Sequence, residues 1–265
     1  MNELALFAGV GGGLLASQLI GFRTVCAVEL DEYRRCVLVQ RQNDGHLRPP
    51  FPIWDDIRTF DGRPWRGIVD VVSGGFPCQD ISIAGRGDGL EGERSSMWRE
   101  MARVVGEVRP AYVYVENSPM LTTRGGNRVI ADLTALGYDA QWDVMGAADV
   151  GAPHQRDRIW IVAYSNEFRI QSKQELSTWK AKRIDSGCNE MAYTNSAQCQ
   201  RNGRSERAFA QHANTCRTSW WDIEPNVGRV ADGVAARVDR LKAIGNGQVP
   251  AVAATAWKLL IEEMQ

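Results

Sequence analysis

The sequence lacks the patterns that would assign it to several common classes of protein. No apolar run approaches the length of a transmembrane helix, and the N-terminal segment has neither the basic region nor the cleavage pattern of a signal peptide. The six cysteines include no C-x-x-C pair, which argues against a zinc site and a disulfide framework. No G-K-S/T motif is present to hold a nucleoside triphosphate. We therefore expect a cytoplasmic protein in a reducing environment, with no metal and no membrane contact.

Lysine is also missing from the first 164 residues, where 17 arginines stand against 21 acidic residues and the net charge is −4. Residues 165–221 carry 9 basic and 5 acidic residues, so their net charge is +4. This distribution, rather than the overall net charge of −1, indicates a basic insert able to bind a polyanion. A solvated loop region would have the same charge, so both interpretations stay open.

The remaining composition is that of an ordinary globular protein. With 265 residues, 44% of them hydrophobic, the chain is long enough for one sizeable core and a smaller lobe. Apolar runs alternate with helical patterns over residues 1–163, fade in the polar stretch 164–228, and return in residues 229–265. We therefore predict an α/β domain made of the two outer segments, with an irregular second lobe between them.

A glycine-rich turn follows the first apolar run. The run at residues 3–9 leads into V-G-G-G at 10–13, and a helical pattern then follows. Glycines at such a joint let the backbone turn tightly and let a ligand approach the helix N-terminus. Glu29 lies 20 residues beyond Gly9, the spacing at which an acid binds ribose hydroxyls. Leu14 replaces the third glycine of the dinucleotide fingerprint, and such turns also occur without a ligand, so this motif alone decides nothing.

Cys78 lies on a loop after a second apolar run. Residues 68–72 break abruptly into S-G-G-F-P-C, and Pro77 restricts the backbone directly before the thiol. A buried strand that ends in glycines presents its next residues at the carboxyl edge of the sheet, where open α/β folds bind ligands. Cys78 is therefore either a nucleophile or a small side chain packed in the core, and its own loop favours neither.

Two later apolar runs place charged groups where they can join Cys78. Glu116 ends the run A-Y-V-Y-V-E, at the same sheet edge as Cys78 if the strands are parallel. Arg156 and Arg158 share one face if their segment is extended, and together they would clamp a phosphate or a base edge. Glu116 as a structural hydrogen-bond acceptor, and the arginines as a surface pair bridged by Asp157, are the alternatives.

In order and spacing, these motifs resemble those of the DNA (cytosine-5)-methyltransferases over about residues 1–163 and 229–265. Six blocks carry the resemblance: LFAGVGGG at 6–13, Glu29, Asp56-Ile57, GGFPCQDIS at 74–82 with Glu116-Asn117-Ser118, His154-x-Arg156-x-Arg158, and GNGQVP at 245–250. The resemblance implies a Rossmann-like, S-adenosylmethionine-dependent methyltransferase fold. It has a mixed, mostly parallel sheet with helices on both faces. Residues 164–228 would form the target-recognition lobe, and 229–265 would complete the catalytic domain.

The resemblance also implies the reaction and its residues. A monomeric enzyme would flip a cytosine out of double-stranded DNA and methylate its C5 through a covalent bond between Cys78 and C6. Glu116 would hold the ring, and Arg158 with Arg156 would orient the base or its phosphate. The implied cofactor site consists of Phe7, Ala8, Gly9, Gly11, Gly12, Glu29, Leu30, Asp56, Ile57, Pro77, Met97, Asn246 and Gln248.

Two positions depart from the family pattern, and two other functions remain open. Leu30 stands where many members have an aromatic residue against adenine, and His154 stands where glutamine is common. A tRNA cytosine-5 methyltransferase would share the fold and the chemistry, whereas a dinucleotide-dependent oxidoreductase would share only the first strand, turn and helix. The recognised DNA sequence and a cognate restriction endonuclease cannot be read from the sequence.

Overall fold

A computed structural model of the chain describes residues 1–48, 50–77, 96–166 and 237–263. The chain divides into two compact units, the first comprising Met1–Gln171 and Val238–Gln265 and the second Ser172–Arg237. All described residues except Arg237 belong to the first unit. Cys78 and nearly all of the predicted target-recognition lobe lie outside the described residues.

The described residues form a sheet of seven strands. These are β1 (Asn2–Leu6), β2 (Arg23–Val28), β3 (Ile53–Trp54), β4 (Val71–Gly74), β5 (Tyr112–Asn117), β6 (Tyr138–Met145) and β7 (Arg158–Ser165). Their order in the sheet is β3-β2-β1-β4-β5-β7-β6. The strands from β3 to β5 are parallel, whereas β7 is antiparallel to both β5 and β6. The prediction of a mixed, mostly parallel sheet is confirmed.

Helices cover both faces of this sheet, as predicted. They are α1 (Gly12–Leu19), α2 (Glu32–Asn43), α3 (Ser96–Val108), α4 (Gly126–Ala135), α5 (Arg237–Asn246) and α6 (Pro250–Glu262). Helices α3 and α4 contribute to the core on one face, and α1 and α6 to the core on the other. The helix α5 was not predicted from the sequence, and Gly245 lies within it. A glycine costs a helix only about 1 kcal/mol, so a single one does not prevent a helix from continuing.

Strand β5 illustrates how the apolar runs build a two-sided core. Val113 and Val115 pack in the core that includes α3 and α4. Tyr114 points to the opposite face, because side chains alternate along a strand. Its ring stacks on Trp160 at a centroid distance of 5.6 Å, and its hydroxyl donates to the carbonyl oxygen of Ala253 in α6 at 2.7 Å. Because both faces are buried, the strand reads as a continuous apolar run.

The strand order reverses between β1 and β4, and this reversal positions the site. The chain runs outward from β1 through β2 to β3, and then returns to place β4 on the other side of β1. In the register of the two strands, Leu6 of β1 lies opposite Gly74 of β4. Loops that leave the carboxyl ends of such strands diverge and open a crevice between them. The predicted start of β4 at Ile68 is wrong, since Ile68 is half exposed and precedes the strand.

Glu3 is a buried carboxyl that joins four elements near this reversal. It lies in β1 with 1% exposure, and its Oε1 accepts hydrogen bonds from the hydroxyls of Ser17 in α1 and Ser73 in β4, each at 2.6 Å. Its Oε2 accepts from Thr24 in β2 at 3.0 Å. Buried polar groups need such partners, and these satisfy both carboxyl oxygens. The network therefore ties β1, β2, β4 and α1 together beneath the glycine turn.

Replacing Glu3 by glutamine is expected to change the pH dependence of folding stability. Burial raises the pKa of the Glu3 carboxyl. Its contribution to stability is therefore fully present below the pKa of the unfolded chain and is lost as pH rises through the folded value. Glutamine does not titrate, so the unfolding free energy of Glu3→Gln relative to wild type should increase as pH rises from the unfolded to the folded pKa of Glu3.

Urea unfolding of both proteins at a series of pH values measures this difference. Glu262→Gln, on the exposed surface of α6, is the matched control, and its difference from wild type should stay constant with pH. An equal pH response of the two variants would show that burial does not control the Glu3 proton.

Candidate active site

An open cleft lies at the reversal between β1 and β4. The ends of β1, β4 and β5 form its walls, together with the loop between α5 and α6. Seven of the predicted site residues line it: Phe7, Ala8, Gly9, Gly12, Glu116, Asn246 and Gln248.

The glycine turn after β1 has a left-handed backbone at three positions. The φ angle is +54° at Phe7, +57° at Gly9 and +90° at Gly11. For Phe7 this conformation costs about 1–3 kcal/mol, and the next peptide is anchored because Ala8 N–H donates to the carbonyl oxygen of Val28 at 3.0 Å. A Cβ atom at Gly9 would meet nothing within 4 Å, so φ rather than space requires glycine there. The Gly9 backbone therefore faces the cleft uncovered.

Glu29 stabilises this turn from the end of β2. Its side chain is 5% exposed, and its Oε2 accepts a hydrogen bond from Gly9 N–H at 2.7 Å. Its Oε1 accepts from Asp31 N–H at 3.0 Å. Asp31, and not Glu29, caps the helix α2, because its side chain accepts a hydrogen bond from Arg34 N–H. Arg34 Nη1 also lies 3.6 Å from Oε1, so Oε2 is the oxygen with a second lone pair left to accept a hydrogen bond from a ligand hydroxyl.

The Glu116 carboxyl, near the end of β5, lies between two donors from distant segments. Its side chain is 13% exposed. Oε1 is 2.9 Å from Arg158 Nε, and Oε2 accepts a hydrogen bond from Gln248 Nε2 at 3.4 Å. Burial raises the pKa of Glu116, and the Arg158 charge and the Gln248 amide partly oppose that rise. Glu116 therefore keeps its proton to a higher pH than an exposed carboxyl.

Arg156 and Arg158 have different partners in this structure. Arg158 binds Glu116, and its Nη1 also donates to the backbone oxygen of Asp157 at 2.7 Å. Arg156 Nη2 donates to the carbonyl oxygens of Gly245 at 2.7 Å and Gly247 at 2.5 Å. Burial lowers the pKa of Arg156. One guanidinium therefore holds the loop before α6 and the other holds a carboxyl, and a joint clamp for phosphate or a base edge stays a prediction.

The predicted adenine-binding residues lie at the ends of β2 and β3. Leu30 is 62% exposed after β2, and the Trp54 side chain is 46% exposed at the end of β3. The Asp56 carboxylate is paired with Arg58 at 2.7 Å, and these hydrogen bonds lower the pKa of Asp56. The Ile57 side chain is buried in the core. Of Asp56 and Ile57, only Asp56 therefore has a partly exposed side chain, and neither residue lines the cleft.

The other predicted site residues are distributed more widely. A Cβ atom at Gly11 would lie 3.0 Å from the side chain of Leu38, so Gly11 serves close packing and does not line the cleft. Pro77 is exposed, and Met97 packs partly buried against the core at the start of α3. The predicted nucleophile Cys78 lies outside the described residues.

The cleft residues that were not predicted include three that share one hydrogen-bond network. Glu3, Ser17 and Ser73 line the cleft, and both serine hydroxyls donate to Glu3. The available signal was a charged residue at position 3 and a serine at position 73 inside otherwise apolar strands. Such polar residues at buried positions require partners, which here are each other.

In the described ranges, no helix is long and apolar enough to cross a bilayer. Within the same ranges, no three His, Cys, Asp or Glu side chains gather in a way that could hold a metal ion.

The chain is similar in sequence to known proteins. A family model described as C-5 cytosine-specific DNA methylase matches residues 1–248. The chain is 32% identical to the Type II methyltransferase M.NgoBI of Neisseria gonorrhoeae over 183 residues, which are 68% of this chain and 55% of that protein. It is 30% identical to the Type II methyltransferase M.HhaI of Haemophilus parahaemolyticus over 189 residues, with the same two coverages.

Solved structures show the same fold. The S. pombe Dnmt2 methyltransferase matches with a TM-score of 0.50 and 20% sequence identity, over 63% of this chain and 51% of that one. At that identity the likeness concerns the fold alone. The chain spans about half the length of the curated relatives that it matches.

Proposed function

Because the chain belongs to the C-5 cytosine-specific DNA methylase family, we propose that it transfers a methyl group from S-adenosylmethionine to C5 of a cytosine in double-stranded DNA. The observation that carries this proposal is the Glu116 carboxyl, held between Arg158 and Gln248 in the cleft that the glycine turn also lines. In this cleft, the Glu116 carboxyl is suited to bind the edge of a base, and the glycine turn after β1 is suited to bind a nucleoside. The Type II methyltransferases among the relatives favour DNA as the substrate.

The cleft residues fit S-adenosylmethionine. The open space beside Gly9 and the second lone pair of Glu29 Oε2 suit a nucleoside with a short charged tail. Glu29 would accept hydrogen bonds from the ribose hydroxyls. Asn246 and Gln248 would border the methionine end. When bound, this cofactor supplies a methyl group on a positively charged sulfur, which is open to attack by an electron-rich carbon.

Cys78 would make the cytosine ring reactive. C5 of cytosine is a poor nucleophile, and addition of a thiolate to C6 places electron density on C5. Once C5 carries the methyl group, a base removes the C5 proton and the bond between Cys78 Sγ and C6 breaks. The support for this role is the GGFPCQDIS motif and its position directly after Pro77, which is the last described residue of that segment.

Glu116 would hold the edge of the cytosine during this addition. A carboxyl that keeps its proton can donate to the ring nitrogen N3, while its other oxygen accepts from the exocyclic amine. The pKa of Glu116, raised by burial, favours this proton. Arg158 would keep the carboxyl oriented, because it binds Oε1 from the adjacent strand β7. The negative charge that develops in the ring is stabilised by these preplaced donors.

The target cytosine must leave the helix to reach these groups, because a duplex hides C5 and C6. The predicted lobe at 164–228 would hold the DNA, and the net charge of +4 over residues 165–221 suits contacts to phosphates. Side chains from the same lobe would read base edges in the major groove.

Tritium transfer from labelled S-adenosylmethionine tests the proposed function. The full chain should label unmethylated double-stranded DNA, and sequencing should locate the product as 5-methylcytosine. Label in tRNA but not in DNA would support the tRNA enzyme instead. No label in either, together with turnover that requires a nicotinamide dinucleotide, would overturn the proposal in favour of an oxidoreductase.

Substitution of Glu29 tests the cofactor site without measuring activity. Glu29→Ala removes the acceptor for the ribose and for Gly9 N–H, and we expect the Kd for S-adenosylhomocysteine to rise about 10- to 100-fold. Isothermal titration calorimetry measures this Kd. Glu32→Ala, an exposed acid in the first turn of α2, is the matched control and should bind like wild type. Equal affinity of the two variants would remove Glu29 from the site.

A further inference from the structure

Gln248 lies between the side of the cleft proposed for the base and the side proposed for the cofactor. Its Nε2 donates to Glu116 Oε2 at 3.4 Å, on the side proposed for the base. Its Oε1 lies 2.6 Å from the position that a Cβ atom would take on Gly13, in the first turn of α1. A Cβ atom on Gly12 would collide with the Gln248 backbone oxygen. One side chain therefore extends from the cofactor turn to the carboxyl that would hold the cytosine.

Glycines make room for this side chain on both sides. A Cβ atom at Gly75 would lie 3.3 Å from Gln248 Nε2 and would collide with Glu116 Oε2. Side chains at positions 12, 13 and 75 would therefore close the slot that Gln248 occupies. The glycines of the LFAGVGGG and GGFPCQDIS motifs thus serve, besides any ligand, the approach of Gln248 to Glu116.

Hydrogen bonds from Arg156 fix the loop that carries Gln248. Arg156 Nη2 donates to the carbonyl oxygens of Gly245 and Gly247, and α6 begins at Pro250 directly after the loop. Gln248 itself is partly buried. The amide is thus presented to Glu116 by a fixed backbone, which is the condition for a side chain that orients another.

We propose that Gln248 is a positioning residue that couples the cofactor turn to the Glu116 carboxyl, so that filling the cofactor side of the cleft changes how Glu116 is held. The inference rests on the proposed function, because it assigns the two sides of the cleft to cofactor and base. Arg158 holds Oε1 from one side and Gln248 holds Oε2 from the other. Only the Gln248 donor also borders the turn at Gly12 and Gly13.

Gln248→Met tests this role, because methionine keeps the length and apolar volume of the side chain but cannot donate a hydrogen bond. We expect kcat for DNA methylation to fall about tenfold, the loss typical of one hydrogen bond, while the KM for S-adenosylmethionine stays within about threefold. Gln248→Glu should lose more of kcat, because two carboxyls would then face each other. In a Glu116→Gln background, Gln248→Met should have little further effect.

Titration of Glu116 provides a readout that does not need activity. The charged and titratable groups that face this carboxyl are Arg158 at the start of β7, Arg156 just before β7, and Tyr114 in β5. With those unchanged, loss of the Gln248 amide should raise the pKa of Glu116 further, because that hydrogen bond lowers it. Carbon-13 NMR of glutamate-labelled protein measures this pKa, and the resonance is assigned by its loss in Glu116→Gln.

Addition of S-adenosylhomocysteine tests the coupling in a way that does not depend on methylation activity. It should shift the Glu116 titration in wild type and leave it unshifted in Gln248→Met. This result without any DNA methylation by wild type would support the coupling and overturn the proposed function. Active wild type together with a Gln248→Met variant of unchanged kcat and unchanged Glu116 titration would overturn the coupling alone.

Discussion

Replacing Cys78 by serine should reduce methyl transfer to DNA by at least about 10³-fold, because a hydroxyl is a far weaker nucleophile than a thiolate toward C6 of cytosine. The measurement is tritium transfer from S-adenosylmethionine to DNA under single-turnover conditions. The Kd for S-adenosylhomocysteine should stay within a few-fold of wild type, since the sulfur is proposed to act on the base and not on the cofactor.

Two other cysteines provide matched controls for this experiment. Cys36 is exposed on α2, away from the residues that line the cleft, and Cys36→Ser should retain wild-type activity. Cys26 is buried in β2, where burial raises the pKa of its thiol to about 11 and makes it unreactive. Alkylation at neutral pH should therefore spare Cys26.

DNA that contains 5-fluorocytosine tests the covalent step directly. Fluorine replaces the C5 hydrogen, and a base cannot remove it, so the covalent bond to the protein cannot be released. Wild type and Cys36→Ser should form a stable protein–DNA adduct in the presence of S-adenosylmethionine, and Cys78→Ser should not. Methyl transfer by Cys78→Ser near the wild-type rate, or an adduct formed by it, would show that Cys78 is not the nucleophile.

Glu116→Gln should reduce kcat for DNA methylation by about 10²- to 10⁴-fold. Glutamine keeps the shape of the side chain and can still accept from Arg158, so the fold should be preserved. Its amide can still donate to N3 and accept from the exocyclic amine of cytosine, but it cannot transfer a proton to N3. The loss should therefore fall on kcat, and the Kd for S-adenosylhomocysteine should change little. Steady-state kinetics and calorimetry measure the two quantities.

An arginine-paired carboxylate outside the cleft provides the comparison. Glu100 accepts from Arg103 at 2.9 Å in α3, in an arrangement similar to that of Glu116 and Arg158. Glu100→Gln should leave methylation unchanged. Loss of activity in both variants in parallel with a lowered melting temperature would attribute the effect to folding. Unchanged kcat in a folded Glu116→Gln would remove this carboxyl from the reaction.

Local signals in the sequence predicted the parts of the site that depend on neighbouring residues. The glycine turn after the first apolar run and Glu29 lie together because two paired strands joined by one turn and one helix are enough to place them. The first cofactor motif and the nucleophile motif were found in the same way. Cys78 itself stays a prediction, since it lies outside the described residues.

Contacts between distant segments were not predicted, and Arg156 is the clearest case. Alternation along an extended segment placed it beside Arg158, but its actual partners are the carbonyl oxygens of Gly245 and Gly247, 89 and 91 residues away. The helix α5 was missed for a related reason. Propensity at one glycine is a weak local preference, and the packing of the whole chain decides whether a helix continues through it.

The sequence by itself determined the alternation of strands and helices, the glycine turn and the strand ends at which charged groups stand, because these depend on periodicity and turn chemistry within a few residues. The tertiary structure alone decided what those groups contact. Gln248 meets Glu116 across 132 residues of chain, and Ser73 meets Glu3 across 70. Such contacts arise only when the order of strands in the sheet is set, because that order brings the ends of β1, β4 and β5 to one cleft.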